Sequence, residues 1–272
     1  MSTATLSPYR EILTASIAIE DARCGAAELL QRKHYDRIAE DYEAHYGDSC
    51  SREYRQRFIY QPMFDGMNLD GMKVLDAMCG SGHTTEYLLS RGAHVTGLDI
   101  SPAEINHFGA RCPEAIGICR SLLDSQLDAD SFDCVAVVGG LHHLHPHLDA
   151  AMREIHRVLK PGGYFCFMEP HAGSIPDVVR GFWYRFDNLF SDNEAAIDIA
   201  RLQLEFSERF TFTRTRYEGN VAFLLVLNSL IFRLPLRLKP IYSPALMACE
   251  AAIGALQSKL TACFAIGQWR KK

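Results

Sequence analysis

Two carboxylates, a pair of glycines and a run of histidines carry the chemistry open to this sequence. Asp76 and Asp99 each close a short apolar run, Val74-Leu75-Asp76 and His94-Val95-Thr96-Gly97-Leu98-Asp99. Between them lie Cys79-Gly80-Ser81-Gly82 and an amphipathic segment through Leu89. The order is strand, glycine turn, helix, strand, acid, the layout of a nucleotide-binding βαβ unit. Gly80 and Gly82 let the backbone approach a ligand that a Cβ would block. Asp99, at the tip of the second strand, is suited to accept hydrogen bonds from both hydroxyls of a ribose. A dinucleotide fingerprint needs a third glycine where Thr85 stands, and it seats a pyrophosphate that Asp76 would repel. A ligand carrying an ammonium suits Asp76 better.

A second group follows the apolar run Ser131 to Val138, which reads as a buried parallel strand. It is Gly139-Gly140-Leu141-His142-His143-Leu144. In open α/β sheets ligands bind beyond the carboxyl ends of the strands, near the point where strand order reverses. Gly139 and Gly140 then pass close to the ligand, and His142 and His143 lie near the reacting centre. Imidazole titrates near neutrality and is suited to take a proton from a hydroxyl. A histidine hydrogen-bonded to the backbone is the alternative role for either. His145 and His147 extend the run, but no cysteine or carboxylate completes a metal-ligand set, so no metal is assigned. Glu169 and His171, after the next strand, are further candidates for substrate contact or base.

The passage from Lys73 to Asp99 resembles the first motif of class I S-adenosylmethionine-dependent methyltransferases, acid-x-G-x-G-x-G followed by a ribose-binding acid. Their cofactor carries the ammonium that Asp76 invites. Met78 stands where that motif has its first glycine, which puts a side chain beside the methionine half of the cofactor. The resemblance implies that Ile100 faces the adenine. It also implies an acid after the third strand, at Arg120-Ser121-Leu122-Leu123-Asp124, where Ser121 and Leu122 stand instead. His34 to Tyr42 is similar to the YDxIAxxY segment that lies over the site as a lid in many small-molecule methyltransferases. By that likeness Tyr35 is a substrate candidate and Tyr42 a cofactor candidate, with ordinary core aromatics as the alternative. The Leu141 to Leu144 phrase recurs in the family, as does Arg157 to Gly163, whose role there is structural. The likeness runs from about Tyr35 to Pro170.

The elements that must position these groups follow from pattern. The chain has 272 residues, 48% apolar and 22% charged, and is long enough for one large α/β domain. Helices are expected over 9–31, 34–42, 51–67 and 147–159, with Arg55 and Arg57 solvated. Strands are expected near 73–76, 94–99, 115–119, 131–138, 164–168, 209–217 and 260–266. The expected fold is a Rossmann-like class I methyltransferase sheet of seven strands, its last strand antiparallel. Residues 1–68 form N-terminal helices and lid, and 69–272 form the core. The net charge of −5 lacks the basic footprint of a nucleic-acid binder. Nine cysteines without pair spacing predict buried thiols and a cytoplasmic protein. No signal peptide is evident in the first residues.

Residues 219–258 depart from a minimal methyltransferase. Val221 to Phe232 has only Asn228 and Ser229 as polar residues, and another apolar helix is expected from Ser243 to Leu256. From 219 onward seven basic residues face one acid, Glu250. A helical pair packed on the sheet, a roof over a pocket for a lipophilic substrate, a peripheral membrane contact and a homodimer face are all compatible with that composition. The functional expectation is methyl transfer from S-adenosylmethionine to a small, lipophilic metabolite, with oxygen favoured over nitrogen or carbon. The alternatives are a cofactor-binding enzyme that catalyses another reaction, such as cyclisation, and a non-catalytic binding protein.

Overall fold

The computed structural model describes residues 43–184 and 195–272. Tyr35, Tyr42 and the helices expected over 9–31 and 34–42 lie outside the described residues. A seven-stranded sheet runs in the order β3-β2-β1-β4-β5-β7-β6. Its strands are β1 (Lys73–Ala77), β2 (His94–Asp99), β3 (Ile116–Cys119), β4 (Phe132–Val138), β5 (Leu159–Pro170), β6 (Phe210–Glu218) and β7 (Phe264–Lys271). The first five are parallel, and β7 inserts antiparallel between β5 and β6. Strand order reverses between β1 and β4, so their carboxyl ends open a crevice there.

Helices cover both faces. Those named below are α1 (Ser49–Arg55), α2 (Gln61–Met63), α3 (His83–Ser90), α4 (Pro102–Arg111), α5 (Leu148–Val158), α6 (Ile175–Tyr184), α7 (Ile199–Glu205) and α8 (Lys239–Gly254). Alternation along the strands divides the core. Leu75, Val135, Phe165 and Phe167 pack with Met152 and Ile155 of α5 and with Trp269. Val74, Cys134, Cys166 and Met168 pack on the other face with Tyr54, Ile59 and Met63. Cys134 and Cys166 are therefore buried thiols under a helix layer.

Two strand boundaries differ from expectation. β5 begins at Leu159, before the Lys160-Pro161-Gly162-Gly163 turn, because Leu159 pairs with Phe132 and the ladder resumes at Tyr164 opposite Cys134. The turn is an excursion within the strand, closed by Lys160 on Asp133 at 2.6 Å. β7 lies C-terminal to the apolar run expected to form it. Polar Gln268 and Arg270 continue the ladder because β5 and β6 flank them on both sides, while Leu260 is exposed. The helix expected from 51 to 67 is α1 and α2 joined by a π-helical turn, Gln56–Tyr60.

The segment between β6 and β7 holds a π-helical turn (Phe223–Leu227) and α8. Among the described residues no helix is long and apolar enough to cross a membrane. Arg57 is solvated, as expected, but Arg55 is buried and donates to the Tyr46 carbonyl at 2.6 Å.

Glycine at 97 is a packing requirement. A Cβ there would lie 2.3 Å from Phe108 Cε2, so Gly97→Ala should cost about 1–3 kcal/mol. Gly181 of α6 has open space, and alanine there should be neutral or stabilising by up to about 1 kcal/mol. Urea midpoints of the two variants check this contrast.

Candidate active site

The turn between β1 and α3 is built on left-handed backbone. Gly80 has φ +51° and Gly82 φ +91°. Gly82 also lies under Phe108, whose ring would be 2.9 Å from an added Cβ. Met78 takes the same region at φ +58°, a cost of about 1 kcal/mol for a residue with a side chain. The turn is tied down by Asp99. Its carboxylate accepts from Gly80 N–H and from Ser101 N–H, each at 2.9 Å. Asp99 also lines the cavity beside this turn.

That cavity, of about 670 Å³, brings together most of the residues expected from sequence. Met78, Gly80, Asp99 and Ile100 line it on one side, with Ser121, Leu122 and Gly139 beside them. Ser121 Oγ also accepts from Leu123 N–H at 3.0 Å, capping the short turn after β3. His142 and His143 line the cavity too, their ring centroids 3.8 Å apart.

Four candidates are placed differently. Asp76 is 1% exposed and lies beneath the glycine turn, off the cavity wall, where it accepts from Thr85 Oγ1 at 2.7 Å. Gly82 is likewise structural and off the wall. His171 is buried against Tyr217, its ring centroid 4.6 Å away, and does not face the cavity. The physical reason is alternation: Pro170 reaches the cavity, so its neighbour points away.

Glu169 is the most instructive of the set. Expected to meet substrate, it is fully buried behind the histidines. Oε1 accepts from Gly140 N–H at 2.8 Å and Leu141 N–H at 2.7 Å. Oε2 lies 2.8 Å from His142 Nδ1. The carboxylate thus shapes the loop after β4 and orients the imidazole. When it is ionised, His142 Nδ1 donates to it, which fixes the ring at the cavity wall. Burial raises the Glu169 pKa to about 7, against the lowering effect of the Leu141 and Gly140 amides.

The sequence reading missed two polar residues of the wall. Arg55 and Glu104, both buried, line the cavity, and neither carries a local signal because each sits in an ordinary helix pattern. Ile175, Pro176 and Val179 of α6 and Leu224, Leu227 and Ile231 form its apolar side. Phe182, further along α6, is exposed. Tyr46 donates to Asn228 Oδ1 at 3.0 Å, linking the start of the described chain to the segment after β6. Glu43 accepts from Ser81 Oγ at 2.9 Å and pairs with Arg111, so the first described residues dock on the glycine turn. Among the described residues no group of three or more His, Cys, Asp or Glu is placed to hold a metal ion.

Comparison with known proteins agrees with this geometry. Residues 75–167 match the family described as a methyltransferase domain. Over 120 residues the chain is 36% identical to an uncharacterized methyltransferase of Synechocystis sp., covering 44% of this chain and 57% of that protein. It is 34% identical over 169 residues to a sterol 24-C-methyltransferase of Gibberella zeae, covering 54% and 43%. It is 36% identical over 116 residues to a fatty-acid O-methyltransferase of Mycolicibacterium smegmatis, covering 41% and 42%. The chain thus spans about half the length of the curated relatives it matches. Among solved structures, an S-adenosylmethionine-dependent methyltransferase from Archaeoglobus fulgidus superposes with a TM-score of 0.57 at 17% identity, over 85% of this chain and 98% of that one. The [4+2]-cyclase SpnF superposes with a TM-score of 0.60 at 16% identity, over 91% and 97%. These two share the fold.

Burial also raises the Asp76 pKa to about 7, the nearby Asp99 charge adding to the effect and the Thr85 hydroxyl opposing it. The folded chain then holds a proton that the unfolded chain, with Asp near 4, gives up. The stability Asp76 contributes is full below about pH 4 and is lost as pH rises through about 7. Asp76→Asn should therefore gain stability relative to the parent between about pH 5 and pH 8, read from urea midpoints at the two values. Residues 75–167 thus match a methyltransferase domain, and the glycine turn, the strand-end acid and the sheet order around them are those of the Rossmann-like class I methyltransferase fold.

Proposed function

We propose that this protein transfers a methyl group from S-adenosylmethionine to a small lipophilic acceptor, with a hydroxyl or carboxylate oxygen as the favoured target. The observation that carries this reading is the continuity of the cavity. It runs from Asp99 and the glycine turn, past His142, to a wall of Ile175, Val179, Leu224, Leu227 and Ile231. Its volume lies in the range of small-molecule sites. The fatty-acid and sterol substrates named for two relatives point the same way.

The residues present fit the cofactor. Gly80 and Gly139 carry no Cβ and have nothing closer than 3.6 Å to where one would sit, which leaves room for a ligand against the backbone. Asp99 would hold the ribose hydroxyls, and Ile100 and Leu122 would face the adenine. When bound, S-adenosylmethionine supplies a methyl group already activated on a sulfonium. The chain's own contribution is alignment, which can supply much of the rate. The apolar wall would hold the acceptor and exclude water. With a hydroxyl acceptor, His142, oriented by Glu169, would take the proton; a carboxylate acceptor, already ionised, would need no base.

A second reading keeps the cofactor and changes the reaction, as the Met78 side chain in the cofactor turn favours. Formation of S-adenosylhomocysteine with a lipophilic alcohol or fatty acid separates the two. Release of one equivalent per turnover supports transfer, and product without release supports a cyclase-like reaction.

Two measurements test the site. Calorimetric titration with S-adenosylmethionine should show Asp99→Ala binding at least about tenfold more weakly than the parent, or about 1.4 kcal/mol. Absence of binding by the parent protein would end the enzyme reading. With a lipophilic alcohol as acceptor, His142→Ala should lower kcat by about a hundredfold or more while leaving cofactor affinity unchanged. An unchanged kcat would assign His142 a structural role.

A further inference from the structure

Helix α8 is inverted in polarity. Its two charged residues, Lys239 and Glu250, are buried. Lys239 Nζ pairs with Asp48 at 2.5 Å and donates to the His45 carbonyl and Ser51 Oγ, each at 2.7 Å. Glu250 accepts from Tyr54 OH at 2.8 Å and from the N–H groups of Asn220 and Ala222 at 2.9 and 2.8 Å. The outward positions are Ile241, Pro244, Ala245, Ala248, Cys249 and Ile253, without a charge among them. A helix facing water ordinarily has the opposite arrangement.

The exposed apolar surface extends beyond α8. Leu236 and Leu238 precede it, and Leu256 and Leu260 follow. The N–H of Ile175 donates to the Leu260 carbonyl at 2.8 Å, which joins this stretch to α6. On α6, Ile175, Val178, Val179 and Phe182 fall at i, i+3, i+4 and i+7 and are 59–72% exposed. The helix's acid, Asp177, is paired with Arg180. The segment that carries α8 leaves and re-enters the sheet at the carboxyl end of the parallel strands, where Glu218, Phe264 and Pro170 pair side by side. Ile175 and Val179 belong to the cavity wall as well.

Charge selects the occupant. Between residues 219 and 261 the single acid, Glu250, is buried, while Arg237 and Lys259 are exposed. A second copy of the chain would set these cations against their own kind. An apolar surface rimmed by cations matches an anionic bilayer, whose interface accepts apolar side chains and whose headgroups attract Lys and Arg. We propose that the surface formed by α8, its flanking leucines and the α6 stripe docks on an anionic membrane, with the cavity mouth turned toward the lipid. The docking stands on this surface alone. Its use, delivering an acceptor from the bilayer to the cavity, rests on the lipophilic-substrate reading above.

The test is co-sedimentation of the full chain with vesicles of phosphatidylcholine and of phosphatidylcholine mixed with phosphatidylglycerol. The parent should pellet with the anionic vesicles and be released by high salt. The double variant Ile241→Glu, Ile253→Glu should bind about tenfold more weakly or less still, with an unchanged thermal midpoint and unchanged S-adenosylmethionine affinity, since both side chains are exposed. A parent that stays in the supernatant with both vesicles overturns the proposal, as does a variant that pellets like the parent. A parent dimer in solution that the same substitutions dissociate would give the face to a second copy and overturn it too. Loss of methyl transfer does not move this readout, so the two readings fail separately.

Discussion

Main-chain amides at the carboxyl ends of parallel strands must find acceptors once the chain leaves the sheet, and buried ones left without a partner are costly. This protein meets that constraint with carboxylates. Asp99, ending β2, takes the Gly80 and Ser101 amides. Glu169, near the end of β5, takes those of Gly140 and Leu141. Each acid thereby ties its own strand to a loop from elsewhere in the chain. The two loops line one cavity side by side.

The same carboxylates set the electrostatics of the site. Asp99 reaches the cavity, whereas Asp76 and Glu169 lie one layer behind it and are pushed up to about 7 by burial. The buried pair act through others, Asp76 through Thr85 beneath the turn and Glu169 through the His142 ring. A carboxylate orienting an imidazole that lines a cavity is an arrangement suited to proton acceptance. Here it arises from the register of β4 and β5, which sets Val138 opposite Met168, the residue before Glu169.

The segment between β6 and β7 follows a related economy. Buried Glu250 serves as acceptor for the chain entering that segment, and buried Lys239 binds the start of α1 through Asp48. Polar groups that would normally face water are used to fasten the segment down. What remains outside is apolar, continuous with α6 and with the cavity rim.

Much of this was legible in the chain. The βαβ unit from Lys73 to Asp99 is local, its glycines and terminal acids being dictated by backbone sterics and by strand ends. The apolar run Phe132–Val138 and the glycine-histidine loop after it were readable for the same reason. Other features depend on residues far apart in sequence. Only the tertiary structure placed Asp76 behind the turn, since its burial is decided by Thr85 and α3. Only the packing of β5 on β4 made Glu169 an internal acceptor and turned His171 away. Arg55 and Glu104 became cavity residues through helix orientation, which a helical period alone does not specify. The sign of the α8 surface was also invisible, because composition counts Lys239 and Glu250 without saying which way they point. Period, turn chemistry and strand-end acids are properties of short segments, and the sequence determined them. Which side chains share a cavity, and which charges are hidden, is decided where distant segments meet.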